Sequence, residues 1–463
     1  MNFRTVVIAS VLLVCLGSIL GISSNVPELP ESDDAVIVDS LDLDDAEVRE
    51  NPVIEGSGDD IDISVPAFVK ESANAIQMNG ADWSGVRQAL GKCRRKPFTV
   101  VHIGDSHLQA DIASGAVREF LQYDYGNAGR GLVIPFRLAG SNEPWDYRIS
   151  SNHSWRSSKI LRRPWTVPMG FTGISIQPAT AESDLFIATR DDNDYNPFNT
   201  LIIYHSGNLD VKSVENREGR EVSYTSSRVA GGTMLRFSSE ENGVRLYFNS
   251  DNLIINGFNL SGNRPGVFYH TIGNNGATYS SYESIANLGE GVSHLFPDLI
   301  ILSIGTNDAF GRFDSAAFTR ALDNVVRRIR AANPNASILL TTPMECQKSV
   351  RSGASKVKKR VKVKGRNGRS RWVTKYVNSG RASKGYGVNN NVSLVRDAIV
   401  KYAKANHIAL YDWYDVAGGK NASSKWIAEG LYGADRVHHT AKGYRLNGYL
   451  LYQALNKAFK SNN

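Results

Sequence analysis

Three short stretches of this chain set reactive side chains at close spacing. Gly104-Asp105-Ser106-His107 puts a hydroxyl just after a glycine that permits a sharp turn, and Gly305-Thr306-Asn307-Asp308 offers a side-chain amide. Asp435-Arg436-Val437-His438 sets a carboxylate three residues before an imidazole. A serine hydroxyl is a weak nucleophile until a base takes its proton, and an imidazole serves as that base once an acceptor fixes its tautomer. Three residues apart and just ahead of a helical pattern, Asp435 and His438 share one face of a turn and meet that need. Of nine histidines, His438 is the one with an acid at such a spacing near a helix start. The chemistry indicated is acyl transfer, with Ser106 as nucleophile, His438 as base and Asp435 as its orienting group. His439 lies one position too far for that pattern.

The surrounding elements must bring these stretches together. Phe98-Thr-Val-Val-His-Ile reads as a buried strand ending at Gly104, and Leu299-Ile-Ile-Leu-Ser-Ile as a second ending at Gly305. Phe318, Leu322, Val325, Val326 and Ile329 mark an amphipathic helix, Ile338-Leu-Leu-Thr-Thr a third strand, residues 394–405 a helix, and Gly443, Leu446, Leu450 and Leu455 a C-terminal helix. Strand alternating with helix predicts a parallel sheet, whose reactive groups gather at the carboxyl ends of its strands. Between residues 146 and 262 the alternation stops. Short β-type runs separated by Gly, Asn and Asp predict an inserted all-β sandwich.

These residues are similar to the conserved blocks of the SGNH (GDSL-like) hydrolases. The blocks around Ser106, Asn307 and His438 resemble the first, third and fifth, and His270-Thr-Ile-Gly273-Asn274-Asn275-Gly276 resembles the glycine block. The resemblance implies an α/β fold, a three-layer flavodoxin-like parallel sheet, here carrying the β insertion. It implies a catalytic Ser106-His438-Asp435 triad and an oxyanion hole made by the Ser106 and Gly276 backbone N–H groups and the Asn307 side chain. His107 is expected to bind substrate, and neither a metal nor an organic cofactor is required. The Gly-Asp-Ser-His form, the run Gly126-Asn127-Ala128-Gly129-Arg130-Gly131 and the inserted module resemble peptidoglycan O-acetylesterases, which points to an acetylated cell-envelope carbohydrate as partner. The basic stretch 348–384 departs from the family pattern. Two rivals share these residues: an O-acetyltransferase with the same triad, and a glycan-binding assembly protein whose triad is vestigial.

Composition sets the frame. With 41% hydrophobic and 21% charged residues the chain is globular. Residues 6–22 form an uncharged apolar run behind Arg4, read as a signal peptide or N-terminal membrane anchor, which places the rest in the cell envelope, periplasmic or facing the periplasm. Nucleic acid is an unexpected partner for an exported chain. The expected organisation is residues 1–25 as signal or anchor, 26–65 as an acidic flexible linker, 66–145 as the first hydrolase piece, 146–262 as the β module and 263–463 as the second piece. Residues 24–65 hold fourteen acids against Arg49, whereas 348–384 hold fourteen Lys or Arg and no acid. The basic stretch alternates in part around Gly365-Arg366-Asn367-Gly368, predicting a hairpin that is either a solvated surface feature or a site attracting anionic polymers or the acidic linker. Asp105 and Asp308 are read as groups that fix loop backbone, and His102 as a core histidine. Cys93 and Cys346 permit one disulfide without implying it.

Overall fold

The computed structural model describes residues 63–190, 196–351, 355–365, 367–379 and 384–461. The expected signal or anchor and nearly all of the acidic linker lie outside the described residues. Among the described residues no helix is long and apolar enough to cross a membrane.

Five parallel strands form the central sheet, in the order Val267–Gly273, Phe98–Gly104, Leu299–Ser303, Ser337–Thr341 and Ala409–Tyr411. The strand Phe98–Gly104 is buried along its whole length, as its unbroken apolar run requires of a strand covered on both faces. Successive side chains of a strand point to opposite faces. Phe98, Val100, Ile301 and Leu339 therefore enter one core with Val117, Phe120, Leu450 and Leu455 of the helices Ile112–Tyr125 and Ala441–Lys460. Val101, Ile103, Leu302 and Leu340 enter the other, with Leu322, Val325 and Ile329 of Ser315–Ala332 and Val395 and Ile399 of Asn391–Ala405. The result is a three-layer α/β arrangement. Its helix starts are capped as the sequence allows: Asp314 accepts from the Ala316 and Ala317 N–H groups, and Thr440 from that of Gly443. Each such cap contributes about 1 kcal/mol.

The inserted strands are antiparallel and form one connected nine-stranded set. Its spine is a pair of 19-residue strands, Phe198–Asn216 and Gly243–Ser261, whose register shifts between Tyr247 and Phe248, Asp251 and Ile254, and Ile255 and Gly257. Such irregularities bend a long strand. Gly243–Ser261 pairs with Glu182–Thr189 over its first part and with Gly131–Val133 near its end. Strand pairing in the β set thus reaches back to residues 131–133, ahead of residue 146. One apolar cluster runs from Ile176, Leu246 and Ile255 of this set to Val101 and Leu302 of the parallel sheet.

Four buried charges lock the junction. Arg118 and Arg130 each pair with both Asp111 and Asp146, at 2.6 to 3.0 Å. Two guanidiniums facing two carboxylates leave no net charge in the interior, which is the condition under which buried ions are tolerated. The glycine-rich run 126–131 delivers Arg130 to this cluster.

The basic stretch forms two antiparallel pairs, Gln347–Arg351 with Lys384–Val388 and Ser355–Lys364 with Ser370–Ser379. The second is the expected hairpin. Cys93 and Cys346 are both buried and free.

Candidate active site

The parallel register sets Gly104 opposite both Gly273 and Ser303, so three strands end at one level. A Cβ on Gly104 would stand 2.6 Å from the Ser303 carbonyl oxygen, so only glycine lets the strands finish this close together. Beyond this level the loops carry Ser106, Gly276 and Asn307.

Ser106 opens the short helix Ser106–Gln109, turned out of the strand by Asp105, whose carboxylate accepts the His107 N–H at 3.0 Å. On the far side of the sheet's end, the Asp435 Oδ1 accepts the N–H groups of Val437 and His438 at 2.9 and 3.0 Å. Its Oδ2 pairs with His438 Nδ1 at 2.6 Å, and His438 Nε2 lies 2.7 Å from Ser106 Oγ. Burial alone would raise the Asp435 pKa, but the bonds from the His438 ring and the two backbone N–H groups outweigh it and hold the carboxyl down to about 2. Asp435 is therefore an anion in the neutral range, able to keep the proton on Nδ1 and leave Nε2 to accept from serine.

Asn307 donates one amide hydrogen to the Ala277 carbonyl at 3.1 Å, which fixes its plane and leaves the second hydrogen free. The Gly276 N–H makes no hydrogen bond within the described residues, nor does that of Ser106. Gly276 adopts φ +75°, a left-handed conformation that aims the peptide without a Cβ penalty.

The remaining expected residues are placed as follows. His107 contacts Tyr444 Oη through Nδ1 at 3.1 Å, with its ring 5.2 Å from that of His438 and 5.5 Å from that of His439. Burial and then the charges of those two imidazoles push its pKa well below the ordinary histidine value. His439 stacks on Trp426 and is driven down to about 3, chiefly by burial. His102 bridges Tyr269 and Ser303 inside the sheet, also buried and lowered to about 3. Asp105 is raised to about 6 and Asp308 to about 7, both chiefly by burial, and Asp308 accepts the Tyr279 N–H at 3.4 Å. A cavity of about 70 Å³ lined by His102, Asp105, His107, Thr306 and His439 lies behind these groups. Neither Ser106 nor His438 lines it, so it belongs to the scaffold.

Sequence reasoning missed two contributors. Gln109 accepts the Asn275 N–H at 2.8 Å and donates to Asn142 and Ser141, holding the peptide ahead of Gly276. A glutamine three residues after the serine was a readable signal. Leu161, from the loop between strands Trp155–Lys159 and Ile174–Pro178 of the inserted set, reaches to within 2.5 Å of where a Cβ on Gly276 would stand. Nothing in the local sequence announces that contact.

A GDSL-like lipase/acylhydrolase family model matches residues 259–446, which include Gly276, Asn307, Asp435 and His438 but not Ser106. The chain resembles the SGNH hydrolases. The match begins within the last of the inserted strands, Gly243–Ser261, and so leaves out the piece that carries Ser106. A solved structure of a peptidoglycan O-acetylesterase shares the fold, with a TM-score of 0.62 and 21% identity over 83% of this chain and 99% of that one. A lipase/acylhydrolase from Enterococcus faecalis matches 42% of this chain and 77% of its own at 17% identity, with a TM-score of 0.27. No curated protein matches. The match to the GDSL-like lipase/acylhydrolase model supports a carboxylic ester hydrolase.

Proposed function

We propose that the protein is an exported serine esterase that removes O-acetyl groups from cell-envelope carbohydrate, with muramic acid residues of peptidoglycan as the substrate. The observation that carries this reading is the unbroken chain from Ser106 Oγ through His438 to Asp435, at 2.7 and 2.6 Å, beside free donors on Ser106, Gly276 and Asn307. The acetylated-glycan substrate is supported by the fold shared with a peptidoglycan O-acetylesterase over nearly all of that protein. Export is supported by the apolar run at residues 6–22.

In the proposed reaction, Ser106 Oγ bonds to the acetyl carbonyl carbon while its proton passes to His438 Nε2. The carbonyl oxygen becomes an oxyanion held by the Ser106 and Gly276 N–H groups and the Asn307 amide. The C–O bond to the sugar then breaks, and His438 returns the proton to the sugar oxygen. Water, deprotonated by His438, attacks the acetyl-serine, releasing acetate and restoring the serine hydroxyl.

The test is acetate release from O-acetylated peptidoglycan by the wild type, Ser106→Ala and His438→Ala. Release by the wild type alone supports the reading. Turnover of a small acetyl ester without release from peptidoglycan would keep the esterase and remove that substrate.

A further inference from the structure

The hairpin Ser355–Lys364/Ser370–Ser379 presents a face that nothing in the described structure covers. Side chains alternate across a strand, and Lys358 is registered with Tyr376 and Lys362 with Trp372. Lys358, Arg360, Lys362 and Lys364 therefore share one face with Trp372 and Tyr376. All six are exposed, Trp372 by 58% and Tyr376 by 64%. The Lys358 ammonium lies over the Tyr376 ring at 5.7 Å, and no other element packs extensively on either strand. None of these four cations has a carboxylate partner among the described residues. Like charges crowded on one ribbon repel each other, so the surface is stabilised by whatever anion covers it.

The complementary charge is in the same chain. Residues 39–62 hold ten acids against Arg49, a net charge of −9. Where this segment joins the folded body, the Lys70 N–H bonds to the Val416 carbonyl at 2.9 Å, and the Phe68 carbonyl lies against Gly418. The hairpin leaves the body beside the same stretch: Glu345 accepts from the Asn421 N–H at 2.9 Å, and Gln347 donates to Ser424 at 3.2 Å. Tracing Cα steps through residues 418–421 bounds the distance from Phe68 to Glu345 at roughly 30 Å, with residues 63–67 between Phe68 and the acidic segment and residues 346–354 between Glu345 and the hairpin. The 24 residues of the acidic segment can extend to about 80 Å, and each ten-residue strand of the hairpin spans about 33 Å. The segment's extended length thus exceeds that distance and one strand of the ribbon taken together.

We infer that the acidic segment 39–62 docks along the basic, aromatic face of the hairpin. The tether holds this anion at a high effective concentration, so it competes with any external polyanion for the same lysines. The contact is electrostatic and weakens as the screening length shrinks from about 10 Å at 0.1 M salt to about 3 Å at 1 M.

The test is zero-length carbodiimide cross-linking of the full chain, with mass spectrometry of the joined peptides. Links between carboxylates of residues 39–62 and lysines 358–375 within a monomer, falling at least tenfold at 1 M salt, are expected. Links found only between chains would overturn the inference in favour of a second copy as occupant. A second measurement uses inorganic polyphosphate as probe, on the full chain and on a variant with the ten acids changed to Asn or Gln. Its affinity is expected to rise at least tenfold in the variant. Equal affinity in both would show the face open to external polyanions and overturn the docking. An unchanged melting temperature serves as the control for folding.

Discussion

His438 and His439 are neighbours in the chain and serve different partners: His438 Nε2 lies 2.7 Å from Ser106 Oγ, while the His439 ring stacks on Trp426 at 5.2 Å. The two positions therefore fail in different ways. His438→Ala should lower turnover of an acetyl ester by on the order of 10⁴ while leaving the melting temperature nearly unchanged. His439→Phe keeps a ring against Trp426 and should retain activity, whereas His439→Ala should lose about 1–3 kcal/mol of stability to the vacated space. Hydrolysis rates and thermal unfolding, measured together, check both. Loss of activity in His439→Phe as deep as in His438→Ala would exchange their roles.

Asn307 is held by one amide hydrogen on the Ala277 carbonyl, which leaves the other for the reaction. In the proposed mechanism, Asn307→Ala removes a donor used more strongly in the transition state than in the bound substrate. The expected result is a fall in kcat of on the order of a hundredfold, about 3 kcal/mol, with little change in KM. A large rise in KM at constant kcat would place Asn307 in ground-state binding instead.

The strands were readable because the parallel sheet is covered on both faces and its apolar runs are continuous. Phe98–Gly104 and Leu299–Ser303 show this most clearly. Asp435 and His438 were readable because a three-residue spacing is a local relation. Leu161 was not, because its place over Gly276 depends on how the inserted strands fold back, a relation spanning more than a hundred residues. The same holds for Gly131–Val133, whose pairing with Gly243–Ser261 no local pattern indicates.

Asp308 is a buried carboxyl whose pKa is raised to about 7, chiefly by burial and further by the charge of Asp105. Unfolded, it ionises near its ordinary value of 3.8. Between roughly pH 4 and 7 the unfolded state has released a proton that the native state keeps, so stability falls as pH rises through that window. Asp308→Asn preserves an acceptor for the Tyr279 N–H and removes the titration. The variant should match the wild type near pH 4 and exceed it by up to roughly 4 kcal/mol near pH 8. Denaturant melts at the two pH values decide it. An equal difference at both would mean that Asp308 does not titrate in this window.

Gly276 faces two separate obstacles to a side chain, and they can be separated by experiment. Its φ of +75° disfavours any Cβ, at a cost of about 1–2 kcal/mol, and that Cβ would also meet the Leu161 Cδ1 at 2.5 Å. Gly276→Ala should therefore lower kcat at least about tenfold, by rotating the N–H that the proposed mechanism offers to the oxyanion. Leu161 is the far end of a flexible side chain, so Leu161→Ala alone should have a small effect. Combined with Gly276→Ala, it should recover the steric part of the loss and leave the backbone part. The double-mutant cycle then gives a coupling energy of about 0.5–1 kcal/mol or more. Strict additivity would show that the inserted strands do not press on the glycine loop, and that the φ of Gly276 alone sets its tolerance.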